Sequence, residues 1–167
     1  MSHLNHSSKM HKNVLKYILF FAISIVLILI DQYTKYLAKI SLQNKPPYVV
    51  IKDVVELVYT ENEGAAFGIL QGKQWLFYVL TVIIIIAILI ALYKLDFNSH
   101  NIIYFIFLTL LFSGAIGNFI DRVKNRYVVD FIYFKPINFP VFNFADMLIT
   151  IACALIIIAT LTIYRKD

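Results

Sequence analysis

Four long apolar segments constrain this chain more than any other feature of its sequence. They are Val14 to Ile30, Trp75 to Tyr93, Ile102 to Ile120 and Met147 to Tyr164. Each approaches the roughly 20 residues that a helix needs to cross the hydrocarbon of a bilayer. Because lipid offers no hydrogen-bond partners, a spanning segment must satisfy its own backbone groups, as a helix does. The sequence therefore predicts four transmembrane helices.

The composition also indicates a membrane protein. Hydrophobic residues make up 60% of the chain and the mean hydropathy is +0.77, whereas soluble domains are roughly 45–50% apolar. The length predicts one compact unit, residues 14–167, after a polar lead at residues 1–13 that we expect to be flexible. Basic residues flank the apolar runs and give a net charge of +5, which favours membrane lipids rather than nucleic acid as partners.

The segments between the predicted helices differ in character. Residues 48–59 are rich in β-branched side chains, which predicts two short strands around Lys52 and Asp53. Residues 134–142 contain two prolines and predict an extended strand or loop at the membrane surface. The predicted fold class is an all-α membrane protein with four transmembrane helices and a small β-sheet or loop region. Four crossings place both termini on one side, and the density of basic residues there favours the cytoplasm.

Polar and ionisable side chains gather where the predicted helices end on one side. Asp31 and Lys35 are four residues apart, as are Asn118 and Arg122, so each pair shares a helix face. The whole group is Asp31, Thr34, Lys35, Asn118, Arg122, Asp130, Asn143 and Asp146. Ionisable groups are costly at membrane depth and usually mark function, so the group predicts one interfacial pocket.

Asp130 and Asp146 are the best candidates for catalysis because neither has an obvious cation four residues away. Two carboxylates in a partly dry site share a proton, so the ionised one can activate water while the protonated one donates to a peptide carbonyl. This pairing predicts metal-free hydrolysis without a covalent intermediate. The residues alone leave another interpretation open, in which Asp146 caps the fourth helix and Asp130 pairs with Arg122 or Lys124.

Other catalytic groups are poorly represented. Ser113 has no histidine within a predicted helix to activate it, and no HExxH pattern occurs, so neither a serine protease nor a zinc site is predicted. Cys153 lies in an apolar run and is interpreted as a small core residue. Gly114 and Gly117 are expected to let helices approach closely. We expect no metal and no cofactor.

Two functions other than enzyme activity are alternatives. A proton or ion pathway would use the same polar residues as a relay, but its charges should recur at mid-depth, and the second and fourth segments contain no Asp, Glu, Lys or Arg. A structural assembly subunit would use the Tyr and Phe side chains at the helix ends only as an interfacial belt. That aromatic pattern does not distinguish it from an enzyme.

Five motifs follow one another along the chain. They are DQYTK at 31–35, NEGAAFG at 62–68, GAIGNFIDR at 114–122, VVDFI at 128–132 and FNFAD at 142–146. Together with the four apolar segments, this ordered set resembles the lipoprotein signal peptidases, the signal peptidase II family. The resemblance extends over most of residues 14–164.

The resemblance implies an aspartic endopeptidase whose catalytic residues are Asp130 and Asp146. The residues that it implies for arranging pocket and substrate are Asn62, Asn118, Arg122 and Asn143, with Asp31 and Lys35 in support. The implied substrate is a prolipoprotein whose cysteine carries a diacylglyceryl group, cut just before that cysteine.

The resemblance also implies a location. We expect a multi-pass protein of the bacterial cytoplasmic, or inner, membrane with both termini in the cytoplasm and the active site on the extracytoplasmic face. The expected partners are lipid-modified prolipoproteins and membrane lipids, and we expect a monomer.

Overall fold

Four long helices dominate the structure, a computed structural model that describes residues 2–64 and 72–164. They are α1 (Ser2–Leu42), α2 (Gln74–Lys94), α3 (Ile102–Asn125) and α4 (Phe144–Tyr164). Each contains a stretch that is long and apolar enough to cross a membrane. The predicted four-helix membrane fold is therefore confirmed.

The helix ends differ from the predicted segments. α1 continues to Leu42 and α3 to Asn125, so Asp31, Lys35 and Arg122 lie within helices rather than after them. Each added residue contributes a backbone hydrogen bond, and partners from neighbouring elements satisfy these polar side chains, so the helices need not end at them. α1 also begins at Ser2 rather than near Val14. The flexibility of residues 1–13 stays a prediction.

α3 is the central helix, because it contacts α1, α2 and α4. Its glycines permit this approach: a Cβ on Gly114 would lie 2.6 Å from the carbonyl oxygen of Ala145, and one on Gly117 would lie 2.5 Å from Oδ2 of Asp31. The hydroxyl of buried Ser113 donates to the carbonyl of Thr109 on its own helix at 2.6 Å. The predicted packing role of the two glycines is confirmed.

A three-stranded antiparallel sheet lies at one end of the helices. Its strands, in spatial order, are β1 (Tyr48–Ile51), β2 (Val55–Asn62) and β3 (Val128–Phe134). The turn between β1 and β2 includes Asp53, whose φ is 58°, a left-handed conformation that aspartate tolerates. The predicted hairpin around Lys52 and Asp53 is confirmed.

Residues 134–142 are predicted to form an extended strand or loop, and between Phe134 and the bridge at Phe142 they form a loop with one short 3-10 helix. β3 ends at Phe134, and a short 3-10 helix, Lys135–Ile137, follows it. Pro136 lacks a backbone N–H for a strand ladder, and Asn138 then turns with a φ of 47°. The chain returns only at Phe142, which forms an isolated bridge with Ile132.

We call the end of the bundle that carries the sheet the site end, and the end where α2 connects to α3 the opposite end. The opposite end holds an apolar cluster of Phe20, Ile88, Leu92, Phe105 and Leu108. Cys153 on α4 is exposed, so its prediction as a core residue was wrong. A helix that is apolar all round has no polar face to indicate which side packs inward.

Candidate active site

The predicted polar residues meet at the site end. A continuous set of side-chain contacts joins seven of them, namely Asp31, Lys35, Asn62, Asn118, Asp130, Asn143 and Asp146. Arg122 lies beside them and bonds elsewhere. Thr34 does not join the group, because its hydroxyl donates to the carbonyl of Asp31 in its own helix.

Asp130 projects from β3 and is 2% exposed. Its Oδ2 accepts a hydrogen bond from Nδ2 of Asn62 at 2.8 Å, and its Oδ1 accepts one from Nδ2 of Asn143 at 2.6 Å. Burial, and then the charge of Asp146, raise the pKa of Asp130 to about 6. A carboxyl with this pKa is able to hold a proton far closer to neutral pH than an ordinary aspartate does.

Asp146 lies in the first turn of α4 and is partly exposed. Its Oδ1 accepts from Nδ2 of Asn118 at 2.7 Å, and its Oδ2 accepts from the backbone N–H of Asn143 at 3.2 Å. Oδ1 of Asn143 in turn accepts from the backbone N–H of Asp146. This reciprocal pair is a capping box, so Asp146 does cap the helix, but only one of its carboxylate oxygens is used for that purpose.

The alternative ion pairs of Asp130 do not form in the part of the chain that the structure describes. Every ion pair found there within 4.0 Å involves Lys35 or Lys135, and none involves Asp130, Arg122 or Lys124. Asp130 is therefore a buried carboxylate held by amides rather than by a cation.

Two asparagine amides connect the aspartates. Nδ2 of Asn143 donates to Asp130 and also to Oδ1 of Asn118 at 3.2 Å, while Nδ2 of Asn118 donates to Asp146. Uncharged donors satisfy carboxylate oxygens without adding a fixed positive charge, so the coupling between the two aspartates persists. This arrangement suits a pair that shares one proton.

A buried charge cluster lies next to the amides. Nζ of Lys35 is 2.9 Å from Oδ2 of Asp31, 3.2 Å from Oδ2 of Asp121 and 2.9 Å from Oδ1 of Asn118. Oδ1 of Asp31 accepts from the backbone N–H of Ala145 at 2.9 Å, which fixes the start of α4 against α1. Lys35 thus bonds directly to one of the two amides that hold the aspartates.

Sequence reasoning missed two members of this cluster, Asp121 and Gln32. The third apolar segment was ended at Ile120, one residue before Asp121, although Asp121 lies within the third motif and three residues after Asn118. Residues three apart share a helix face, so that spacing was a usable signal. Gln32 adjoins Asp31 in the first motif, but the spacing gave no reason to expect its contact with Asp121.

Arg122 is positioned by groups from α2 and from the segment after β2. Its Nη2 donates to the carbonyl of Gly64 at 3.2 Å, and its guanidinium carbon lies 4.5 Å from the centre of the Phe77 ring. The hydroxyl of Tyr78 donates to the carbonyl of Arg122 at 2.9 Å. The buried Nε of Arg122 has no hydrogen-bond partner among the described residues. The rest of the second motif, residues 65–68, lies outside the described residues.

No group of three or more His, Cys, Asp or Glu side chains able to hold a metal occurs within residues 2–64 and 72–164. The metal-free mechanism stays a prediction, because the chemistry of the site has to be tested directly.

Comparisons with known proteins identify close relatives. The family profile described as Signal peptidase (SPase) II matches residues 23–162. The chain is 39% identical over 146 residues to the lipoprotein signal peptidase of Anoxybacillus flavithermus, covering 86% of each chain. It is 46% identical over 139 residues to the lipoprotein signal peptidase of Caldanaerobacter subterraneus, covering 83% of this chain and 91% of that one.

A solved structure resembles the chain over nearly its whole fold. It is described as a bacterial membrane enzyme determined by the in meso method at 2.3 Å resolution, and it aligns with a TM-score of 0.78 and 38% sequence identity. The alignment covers 86% of this chain and 88% of that one.

Proposed function

The chain belongs to the signal peptidase II family, so it is an aspartic peptidase that removes signal peptides from prolipoproteins, and we propose that Asp130 and Asp146 perform the cleavage. One observation carries this assignment. Two carboxylates from separate elements, β3 and α4, are joined by the amides of Asn118 and Asn143 and have no ion pair among the described residues.

The raised pKa of Asp130 supports a division of labour within the pair. Asp130 holds the shared proton while Asp146 is ionised, and a water molecule between them loses a proton to Asp146 as its oxygen attacks the peptide carbon. Asp130 donates its proton to the carbonyl oxygen, which gives a tetrahedral diol. As the C–N bond breaks, Asp146 gives its proton to the amine and the diol returns one to Asp130, so both aspartates are restored.

We propose that Arg122 and Asn62 orient the substrate. The guanidinium lies between Phe77 and the Gly64 carbonyl, and its Nε lacks a partner among the described residues. A rigid fork of donors can hold a substrate carbonyl or a lipid oxygen in a fixed direction. Asn62 ends β2 and already bonds to Asp130, so a peptide lying along the sheet would be held close to the dyad.

The finer substrate assignment is a prolipoprotein whose cysteine carries a diacylglyceryl group, cut just before that cysteine. The site lies at the ends of membrane-spanning helices, and a lipid on the substrate partitions into the bilayer and brings the scissile bond to that depth. β1 is an edge strand whose four residues are all exposed. β2 separates this edge from β3 and Asp130, so an extended substrate segment that adds to it through backbone hydrogen bonds would be one remote from the scissile bond.

Cleavage of paired substrates tests the proposed function. Purified protein is incubated with a diacylglyceryl-modified prolipoprotein and with its unmodified twin, and the products are identified by mass spectrometry. We expect cleavage of the modified substrate alone, directly before the cysteine. Equal cleavage of the twin would remove the lipid requirement, and cleavage of neither would contradict the proposed function.

We further propose that both termini face the cytoplasm of the bacterium and that the site end faces outward. Single cysteines at Lys45 or Asn138, in a Cys153→Ala background, should react with a membrane-impermeant maleimide in intact cells. A cysteine at Ser99, which is exposed at the opposite end, should not react. The reverse pattern would contradict this orientation.

Because one chain supplies both aspartates and their amides, we also propose that the protein is a monomer. Light scattering in detergent tests this proposal.

A further inference from the structure

Asp121 is a buried carboxylate that has no role in the mechanism above. It lies on α3, three residues after Asn118, and is 4% exposed. Its Oδ2 is 3.1 Å from the backbone N–H nitrogen of Val129 and 3.2 Å from Nζ of Lys35. Its Oδ1 accepts from Nε2 of Gln32 at 3.0 Å. One side chain on α3 therefore contacts both α1 and β3.

Through Lys35 and the Asn118 amide, Asp121 is connected to Asp146. Lys35 is 3% exposed and its Nζ lies within hydrogen-bond distance of Asp31, Asp121 and Oδ1 of Asn118. An ammonium only donates, so it requires the oxygen of the Asn118 amide to face it. The nitrogen of that amide then faces Asp146, to which it donates at 2.7 Å. The charge of Lys35 thus determines the orientation of the Asn118 amide.

Through the backbone of Val129, Asp121 is also connected to Asp130. Val129 directly precedes Asp130 on β3, and its backbone N–H donates to the same Oδ2 that faces Lys35. This bond fixes the strand to α3 one residue away from the catalytic carboxylate. A single oxygen atom of Asp121 therefore contacts the supports of both aspartates.

We propose that Asp121 is a positioning residue that fixes Asp130 and Asp146 relative to each other. The two aspartates lie on different elements, β3 and α4, which are joined in sequence by segment 135–143 with its one short 3-10 helix. Small errors in the placement of reacting groups have large effects on rate. The positioning role rests on the proposed function, because it assigns both aspartates to one reaction.

A role in folding alone makes a different prediction. If Asp121 only anchored α3 to α1 and β3, its removal would lower the folded fraction or the melting temperature, and the remaining folded enzyme would turn over normally. If Asp121 positions the dyad, folded enzyme would bind substrate but turn it over slowly. The kcat and KM of folded protein therefore separate the two roles.

The test compares Asp121→Asn, Asp121→Glu and the control Asp53→Asn, at equal amounts of folded protein in detergent. Asp53 is also an acid at the site end, but its side chain is 71% exposed and it pairs with Lys135. For Asp121→Asn we expect kcat to fall about 10- to 100-fold with KM within about twofold, from loss of a charged hydrogen-bond acceptor. Asp53→Asn should match the wild type.

Asp121→Glu keeps the charge but lengthens the side chain by one methylene, so it should fold and show a smaller fall in kcat. It decides the test if Asp121→Asn does not fold. Wild-type kcat in the folded Asp121 variants, even with a lowered melting temperature, would overturn the positioning role alone. Failure of the wild type to cleave a lipid-modified prolipoprotein would overturn the proposed function, and the positioning role with it.

Discussion

Each end of the helix bundle contains a buried lysine, and the two lysines have very different surroundings. At the opposite end, the hydrogen bonds that Nζ of Lys16 donates within the described residues go to two backbone carbonyls, those of Leu92 at 2.8 Å and Leu95 at 2.9 Å. At the site end, Lys35 contacts two carboxylates and a side-chain amide. Lys16 donates to carbonyls at the end of α2, and the nearby carboxylate of Asp96 forms no ion pair with it among the described residues.

The site end contains more buried charged groups than are needed to complete the end of a helix. Buried carboxylates are costly unless they are paired, yet among the described residues Asp130 accepts its hydrogen bonds from amides and forms no ion pair. A buried carboxylate that lowers stability and forms no ion pair is typical of a functional site. We therefore expect substitutions at the site end to reduce activity, and substitutions at the opposite end to reduce stability.

The aspartates should give the largest effect. Asp130→Asn and Asp146→Asn should each lower kcat by roughly 10³-fold or more in folded protein, and the double variant should be no worse, because the two act as one unit. Cleavage of lipid-modified substrate at equal folded protein measures this. Near-normal turnover by either single variant would contradict the assignment of the pair.

The second effect concerns stability and pH. Folded Asp130 binds its proton more tightly than an ordinary aspartate, whose pKa is 3.8. The stability from this proton is fully present below pH 3.8 and is lost as the pH rises through about 6, a change of about 3 kcal/mol. Asp130→Asn lacks this loss, so its unfolding midpoint should rise relative to the wild type between these pH values. A constant difference would contradict the raised pKa.

Arg122→Lys should have a smaller effect on activity. Lysine keeps the charge but has no planar fork to lie over Phe77 while it donates to the Gly64 carbonyl, so we expect about a 30-fold loss of kcat/KM. Lys124→Ala, which removes an exposed charge two residues further along α3, is the control and should change little. An Arg122→Lys enzyme at nearly the wild-type rate would remove Arg122 from the directional contacts.

Lys16→Met should give the smallest effect and complete the contrast between the ends. Loss of the two hydrogen bonds at the end of α2 should lower the free energy of unfolding by about 1–2 kcal/mol, with unchanged kcat for folded enzyme. Lys94→Met, an exposed lysine at the same end, should leave both quantities unchanged. A large fall in kcat for Lys16→Met would contradict a purely structural role.

The sequence predicted the helices and the hairpin well because their signals are local. Long apolar runs and β-branched stretches each specify one type of element. The strand β3 was missed because residues 128–134 are apolar except for Asp130, and a strand covered on both faces has no alternating pattern. The prediction instead placed an extended strand or loop at residues 134–142, where the prolines favour irregular structure.

Seven of the site residues were recognisable because ionisable groups and amides gather near the ends of the predicted helices, whereas Asn62 was implied only by the family resemblance. The contacts among them were not, because they join α1, α3, β3 and α4 across the bundle. Spacing within a helix relates Asp31 to Lys35, but no spacing relates Lys35 to Asn118 or Asp121 to Val129. The exposure of Cys153 could not be predicted either, because residues 147–164 of α4 contain no charged side chain that marks an outer face.

The central claim is that Asp130 and Asp146 cleave the peptide by activating water directly. Lipid-modified prolipoprotein is cleaved in water labelled with oxygen-18, in the presence of hydroxylamine, and the released signal peptide is examined by mass spectrometry. We predict a single labelled oxygen in its new carboxyl group and no hydroxamate. A hydroxamate product, or a peptide bound covalently to the enzyme, would reveal an acyl intermediate and contradict the claim.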